Sequence, residues 1–126
     1  MSFELFTASK RCLSPRVSIR PSGVIFFNIA AVKTYKIHER AQLFFDKEKN
    51  HIGIKFIQLS EKQAGEIKIQ KRRRDRVSEC WIAARLFFQY YKLDLPKTSL
   101  KLIPETLGND MMILDYSRKT HEMSNL

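Results

Sequence analysis

Cysteine, glycine and acidic residues are scarce in this sequence, and each shortage removes a class of chemistry. The two cysteines, Cys12 and Cys80, have neither the number nor the spacing of a disulfide framework, and free thiols in a reducing compartment are the default reading. His38, His51 and His121 lie in separate segments with no Cys or carboxylate at ligand spacing, so no metal site is expected. The four glycines stand singly as turn residues, which excludes a glycine-rich phosphate loop after a strand. No Ser elbow or Cys–His pairing is visible. Long apolar runs are missing too. Val24–Val32 is far too short to span a bilayer and contains Asn28, while Met1–Lys10 carries acid and lacks the apolar stretch of a secretory signal. A cytoplasmic protein without a transmembrane segment or cofactor is expected.

What is present is positive charge. Lysine and arginine total 23 against 13 acids, a net charge of +10, which favours a polyanionic partner and says nothing about fold. The charge peaks in GEIKIQKRRRDRVSECWIAARLFFQYYKL, residues Gly65–Leu93. Lys68, Lys71, Arg72, Arg73, Arg74 and Arg76 crowd there around a single acid, Asp75. Ser78 offers a helix N-cap, and Trp81, Ala84, Phe88 and Tyr91 recur at spacings of three and four. The pattern predicts a buried helix over Ser78–Leu93, with the basic loop held at its N-terminal end where phosphate is commonly met. Trp81, Leu86, Phe87 and Phe88 are expected in the core, together with Val32 and Phe44.

The rest of the chain reads as α+β. Val17 and Ile19 alternate with polar residues, Pro21-Ser22-Gly23 supplies a turn, and Val24–Phe27 returns as a strand. Asn28 is a candidate N-cap for a short helix, Ile29–Ile37. Ala41–Phe45 and His51–Leu59 form a second hairpin. Glu66–Gln70 reads as one strand, and Ser99–Ile103 pairs with Met111–Tyr116 around Gly108-Asn109. Tyr35-Lys36-Ile37 before one hairpin answers Tyr91-Lys92-Leu93 before the other. The expected organisation is a basic arm at 1–15, a β-β-α-β-β half at 16–60, a β-α-β-β half at 61–117, and a flexible tail at 118–126. The two similar strand–helix–hairpin halves would share one core as a small pseudo-two-fold barrel or sheet.

With Gly23 in its first turn, a short helix at Ile29–Ile37 and the apolar pairs Leu43-Phe44 and Ile52-Gly53-Ile54, the first half resembles the swapped-hairpin domains of AbrB/SpoVT-type transition-state regulators. The resemblance covers roughly a third of the chain. It departs at Phe27-Asn28, where that family has Ile-Pro, and at Glu39-Arg40, where it has Gly-Asp. Those domains bind double-stranded DNA through basic residues on a symmetric barrel, so the resemblance implies a similar role for Arg16, Arg20 and Lys33 here.

One carboxylate pattern is weighed against this. Glu66-Ile67-Lys68 with Asp46 upstream resembles the acid and Glu-x-Lys core of a large nuclease superfamily, which needs both acids together at strand ends to hold Mg²⁺. Alternating Glu and Lys also suit any solvated strand, and no enzyme activity is expected. The favoured function is nucleic-acid binding, DNA before RNA, by phosphate contact through the basic loop before the buried helix. The alternative is a protein–protein interaction or assembly module that uses exposed strand edges, as a homo-oligomer or with another protein and without nucleic acid.

Overall fold

The first hairpin forms where side-chain alternation and turn chemistry coincide. Strand β1 (Val17–Ile19) turns through Pro21-Ser22-Gly23 into β2 (Val24–Phe27), and Gly23 takes φ +89 at the turn. A Cβ at Gly23 would lie 2.8 Å from the Arg85 Cα, so both conformation and space require glycine. Asn28 then caps helix α1 (Ile29–Tyr35): its Oδ1 accepts from the Ala31 N–H at 2.9 Å and from the Arg16 N–H at 3.0 Å. The cap therefore also ties the helix start to the residue that leads into β1. The structure, a computed structural model, describes residues 14–37, 39–57, 65–107 and 111–117. The expected arm up to residue 13, the bend at Gly108-Asn109 and the tail at 118–126 lie outside the described residues.

Two five-stranded antiparallel sheets follow, giving an α+β fold. Strands β3 (Arg40–Asp46) and β4 (His51–Ile57) form the expected second hairpin. After them come β5 (Ile67–Lys68), β6 (Gln70–Lys71), β7 (Cys80–Ala83), helix α2 (Arg85–Tyr90), β8 (Leu100–Leu102), β9 (Glu105–Leu107) and β10 (Met111–Asp115). The first sheet runs β6-β7-β2-β1-β8 and the second β5-β3-β4-β10-β9. Val17, Ile19, Ile25, Phe27 and Ile82 of the first sheet, with Ile52, Ile54, Met112 and Leu114 of the second, are completely buried and form the core.

Three expected elements are corrected. Ser78–Leu93 is not one helix. Cys80–Ala83 pairs with Val24–Phe27, placing Cys80 and Ile82 inward beside Phe27 and Ile25, and the chain becomes helical only from Arg85. A short apolar run fits either period, and here an unfilled edge of β2 decides it. Ala84 donates its N–H to the Gly23 carbonyl at 2.9 Å, so the helix start is pinned by the first turn rather than by a side-chain cap. Glu66–Gln70 is likewise not one strand. Ile69, buried, separates β5 from β6 and donates its N–H to the Glu39 carbonyl at 2.7 Å, so the segment bends from one sheet to the other. Ser99–Ile103 does not pair with Met111–Tyr116: β8 joins β1 in the first sheet, and β9, beyond Pro104, pairs with β10. Proline cannot donate to a ladder, which suits the crossing between sheets.

The expected core is corrected accordingly. Phe88 (1% exposed) and Val32 are buried as expected, but Leu86 is 80% exposed and Phe44 42%. Trp81 and Phe87 are half-buried. A six-residue helix packed on one side buries only one stripe, and Phe88 occupies it.

Both helices end alike. Lys36 and Lys92 take left-handed conformations, φ 51 and φ 54. The following residues, Ile37 and Leu93, return their N–H groups to the carbonyls of Val32 and Phe88 at 3.1 and 2.8 Å. Helix α1 accordingly stops at Tyr35 rather than at Ile37.

Candidate nucleic-acid interface

The basic loop lies between β6 and β7 in the first sheet, not at a helix N-terminus, so the expected contribution of a helix dipole falls away. Ser78 has a different role from the expected cap. Its buried hydroxyl accepts from the Arg73 N–H at 2.9 Å and donates to the Arg73 carbonyl at 3.0 Å, clasping the loop at its base. Just outside the clasp, Arg72 donates its N–H to the Glu79 carbonyl at 3.0 Å, and its guanidinium meets the Glu79 carboxylate at 2.9 Å. Residues 74–77 project from that base and are exposed.

The loop leans over the C-terminal end of α1. Between them lies a hollow of about 240 Å³ lined by Val32, Ile37, Lys71, Asp75, Ser78 and Cys80 with Arg74 and Arg76. A second hollow of about 140 Å³, formed by Glu39, Lys68, Ile69, Lys71 and Arg74, adjoins it. Lys71 and Arg74 line both. Four cations thus face two acids, Glu39 and Asp75, along one concave track. The Cys80 thiol at its floor is pushed above its ordinary value of 9.0 by burial, with Lys71 acting in the opposite direction. Burial keeps this sulfur protonated and poorly nucleophilic.

The remaining expected contacts are elsewhere. Arg73 contributes its backbone to the clasp, and Arg72 is held by Glu79. Lys33 is exposed on α1. Arg16 and Arg20 flank β1, and the Arg20 guanidinium sits 4.5 Å from the centre of the Phe26 ring. None of these five lines either hollow.

The nuclease-like constellation does not assemble. Glu66 binds Arg40 at the start of β3 with a 3.0 Å ion pair. Asp46 ends the same seven-residue strand, where its Oδ1 accepts from the N–H groups of Glu48 and Lys49. At strand rise the two acids are about 20 Å apart, too far to share an ion. Among the described residues no cluster of three or more His, Cys, Asp or Glu could hold a metal, and no helix is long and apolar enough to cross a membrane.

Two further surfaces depend on cross-strand register. On the second sheet Phe44, Gly53, Ile113 and Glu105 stand in one row, over a hollow of about 300 Å³. A Cβ at Gly53 would come within 3.0 Å of the Met111 Sδ, so the absence of a side chain there makes room for Met111 beside Phe44. On the first sheet Gln70, Trp81, Phe26, Ser18 and Lys101 form the corresponding row, facing away from the core. Trp81 read as a core residue in sequence, because its outward direction is set by pairing with a strand some fifty-five positions earlier.

No protein-family profile, curated protein or solved structure matches the chain.

Proposed function

We propose that this is a non-enzymatic nucleic-acid-binding protein that meets phosphates along the track between the basic loop and α1. The observation that carries the reading is the clasped loop: Lys68, Lys71, Arg74 and Arg76 converge on two adjoining hollows, on a base held by Ser78 and by the Arg72–Glu79 pair. Cations gathered around a concave track suit a phosphate chain better than scattered surface charge does, and arginine adds a planar fork that can hold two oxygens. The net charge of +10 supports the same reading by drawing polyanions to the protein.

The two halves read best as repeats. Moving from 52 to 112 carries Ile52, Ile54 and Phe56 of β4 onto Met112 and Leu114 of β10 and Tyr116 after it, all buried. Moving from 25 to 80 carries Ile25, Phe26 and Phe27 onto Cys80, Trp81 and Ile82 with inward and outward faces kept. The matching left-handed lysines after the helices support the same duplication. This order agrees with a swapped-hairpin barrel contained in one chain, and it makes DNA the first ligand to test, ahead of RNA.

The test replaces Lys71, Arg74 and Arg76 together by Ala and compares the variant with Arg72→Ala. Labelled duplex and single strand are titrated at several salt concentrations. The triple variant is expected to weaken binding and to flatten the slope of log affinity against log salt by about 0.7–0.9 for each phosphate no longer neutralised. Arg72→Ala, whose partner is Glu79, is expected to change the slope far less. Equal slopes for wild type and triple variant would refute the reading. Exposed Phe44, in one row with half-buried Ile113, supports the second reading, an assembly surface. A stable oligomer in sedimentation, with no nucleic-acid binding at low salt, would favour it.

A further inference from the structure

The outward face of the first sheet carries a feature that core packing does not require. Inward positions of β1, β2 and β7 are filled by Val17, Ile19, Ile25, Phe27 and Ile82, all fully buried. Outward, where polar residues would suffice, β2 and β7 place Phe26 directly beside Trp81. Their ring centroids are 6.5 Å apart, with planes 14° from parallel. Arg20 lies over the Phe26 ring, so guanidinium, phenyl and indole form a continuous ladder across β1, β2 and β7. Lys101 stands in the same row on the far side of Ser18, and Gln70 borders Trp81. The flanking acid of β7, Glu79, is already paired with Arg72.

We propose that this face binds single-stranded nucleic acid, with an unpaired base stacked on the Phe26–Trp81 pair and the adjoining phosphates met by Arg20 and Lys101. Two aromatics alone would suit an apolar partner. Two cations beside the pair, Arg20 and Lys101 toward β1 and β8, with the neighbouring acid neutralised, make the face complementary to a chain that alternates flat rings with negative charge. A duplex hides its ring faces by stacking and offers this platform only its backbone. The inference rests on the nucleic-acid-binding reading above but uses a different face, so the two can fail separately. It assigns strand preference to the sheet and leaves general phosphate binding to the loop.

The test uses the full chain and two probes: a 15-nucleotide oligothymidylate and a 15-base-pair duplex of mixed sequence. Trp81 is the single tryptophan in the sequence, so its emission reports directly on stacking. The oligothymidylate is expected to quench that emission on binding. Trp81→Leu is expected to weaken oligothymidylate binding by roughly tenfold to a hundredfold, the value of one stacked base. Duplex affinity should stay within about twofold, and the salt slope should not change, because every cation that meets phosphate is still in place. Trp81→Phe should restore most of the affinity. Phe26→Leu serves as the second variant should Trp81→Leu melt early in circular dichroism. Oligothymidylate binding without quenching, or binding by Trp81→Leu and Phe26→Leu as tight as by the wild type, would overturn the proposal while leaving the loop reading standing. Binding of neither probe by the wild type would overturn both. Self-association abolished by Trp81→Leu would assign the face to a second copy instead and overturn it as well.

Discussion

Replacing Phe88 by Ala and, separately, Leu86 by Ala tests the packing of α2 at two positions only two residues apart. Phe88 is 1% exposed, its ring lies 5.6 Å from those of both Phe87 and Tyr116, and its carbonyl receives the Leu93 N–H that ends the helix. Truncating such a ring removes its transfer free energy and leaves a cavity that these neighbours fill only partly. The expected cost is about 3–5 kcal/mol, a large share of the roughly 5–15 kcal/mol that a domain of this size commands. Leu86, at 80% exposed, has almost no burial to lose, and its replacement by a stronger helix former should change stability by less than about 0.5 kcal/mol. Urea unfolding followed by Trp81 emission measures both, with far-ultraviolet circular dichroism as a second probe of the same transition. The difference between the variants is more telling than either value. A Leu86→Ala cost near that of Phe88→Ala would mean that α2 is rotated or begins before Arg85, and the second case would refute the strand at Cys80–Ala83 as well.

Two further outcomes follow from local geometry. Lys92 holds a left-handed conformation that only glycine adopts without penalty, so Lys92→Gly should stabilise the protein by about 1 kcal/mol, read as a rise in urea midpoint; a fall would show that the lysine side chain contributes more than the backbone strain costs. Burial holds the Cys80 thiol above 9.0, and burial followed by the charge of Asp94 holds the Tyr116 hydroxyl above its ordinary 10.0. Both groups lose protons more readily in the unfolded chain, so stability should be level below about pH 9 and decline as pH rises past the unfolded values. Thermal melts from pH 7 to 10.5 check this, and Cys80→Ala should remove the earlier part of the decline.

Much of the first half was legible in sequence because each of its signals is local. Gly23 marks a turn that needs positive φ, Asn28 is followed at once by a helix, and Ile52 and Ile54 alternate along a strand whose partner is its hairpin neighbour. The second half was harder because its partners are distant. Cys80-Trp81-Ile82-Ala83 satisfies a helical period as well as a strand period, and no proline, glycine or capping side chain separates it from the helix that follows. Only the pairing with Val24–Phe27 resolves the ambiguity. The basic cluster was visible as composition, but its internal division was not. Glu79 engages Arg72 and Ser78 clasps Arg73, which leaves Arg74 and Arg76 with the two lysines on the track. The Phe26–Trp81 ladder left no sequence signal at all, since both residues sit inside apolar runs and their common face depends on register.

The two bent segments, β5–β6 around Ile69 and β8–β9 around Pro104, each begin in one sheet and finish in the other. This arrangement constrains the order in which a growing polypeptide can acquire structure. As the chain leaves the ribosome, β1 and β2 can meet at once, but the other edge of β1 is closed by Leu100–Leu102, more than eighty positions later. Likewise β4 waits for Met111–Asp115 on its open side. Until those residues emerge, Val17, Ile19, Ile52 and Ile54 belong to sheets with open edges, the condition under which strands pair wrongly or with other chains. Completion should come late and in a single cooperative step, at the slow rate expected where the decisive contacts join distant parts of a chain. A nascent chain halted before Leu102 would therefore be a client for chaperones rather than a partly working protein.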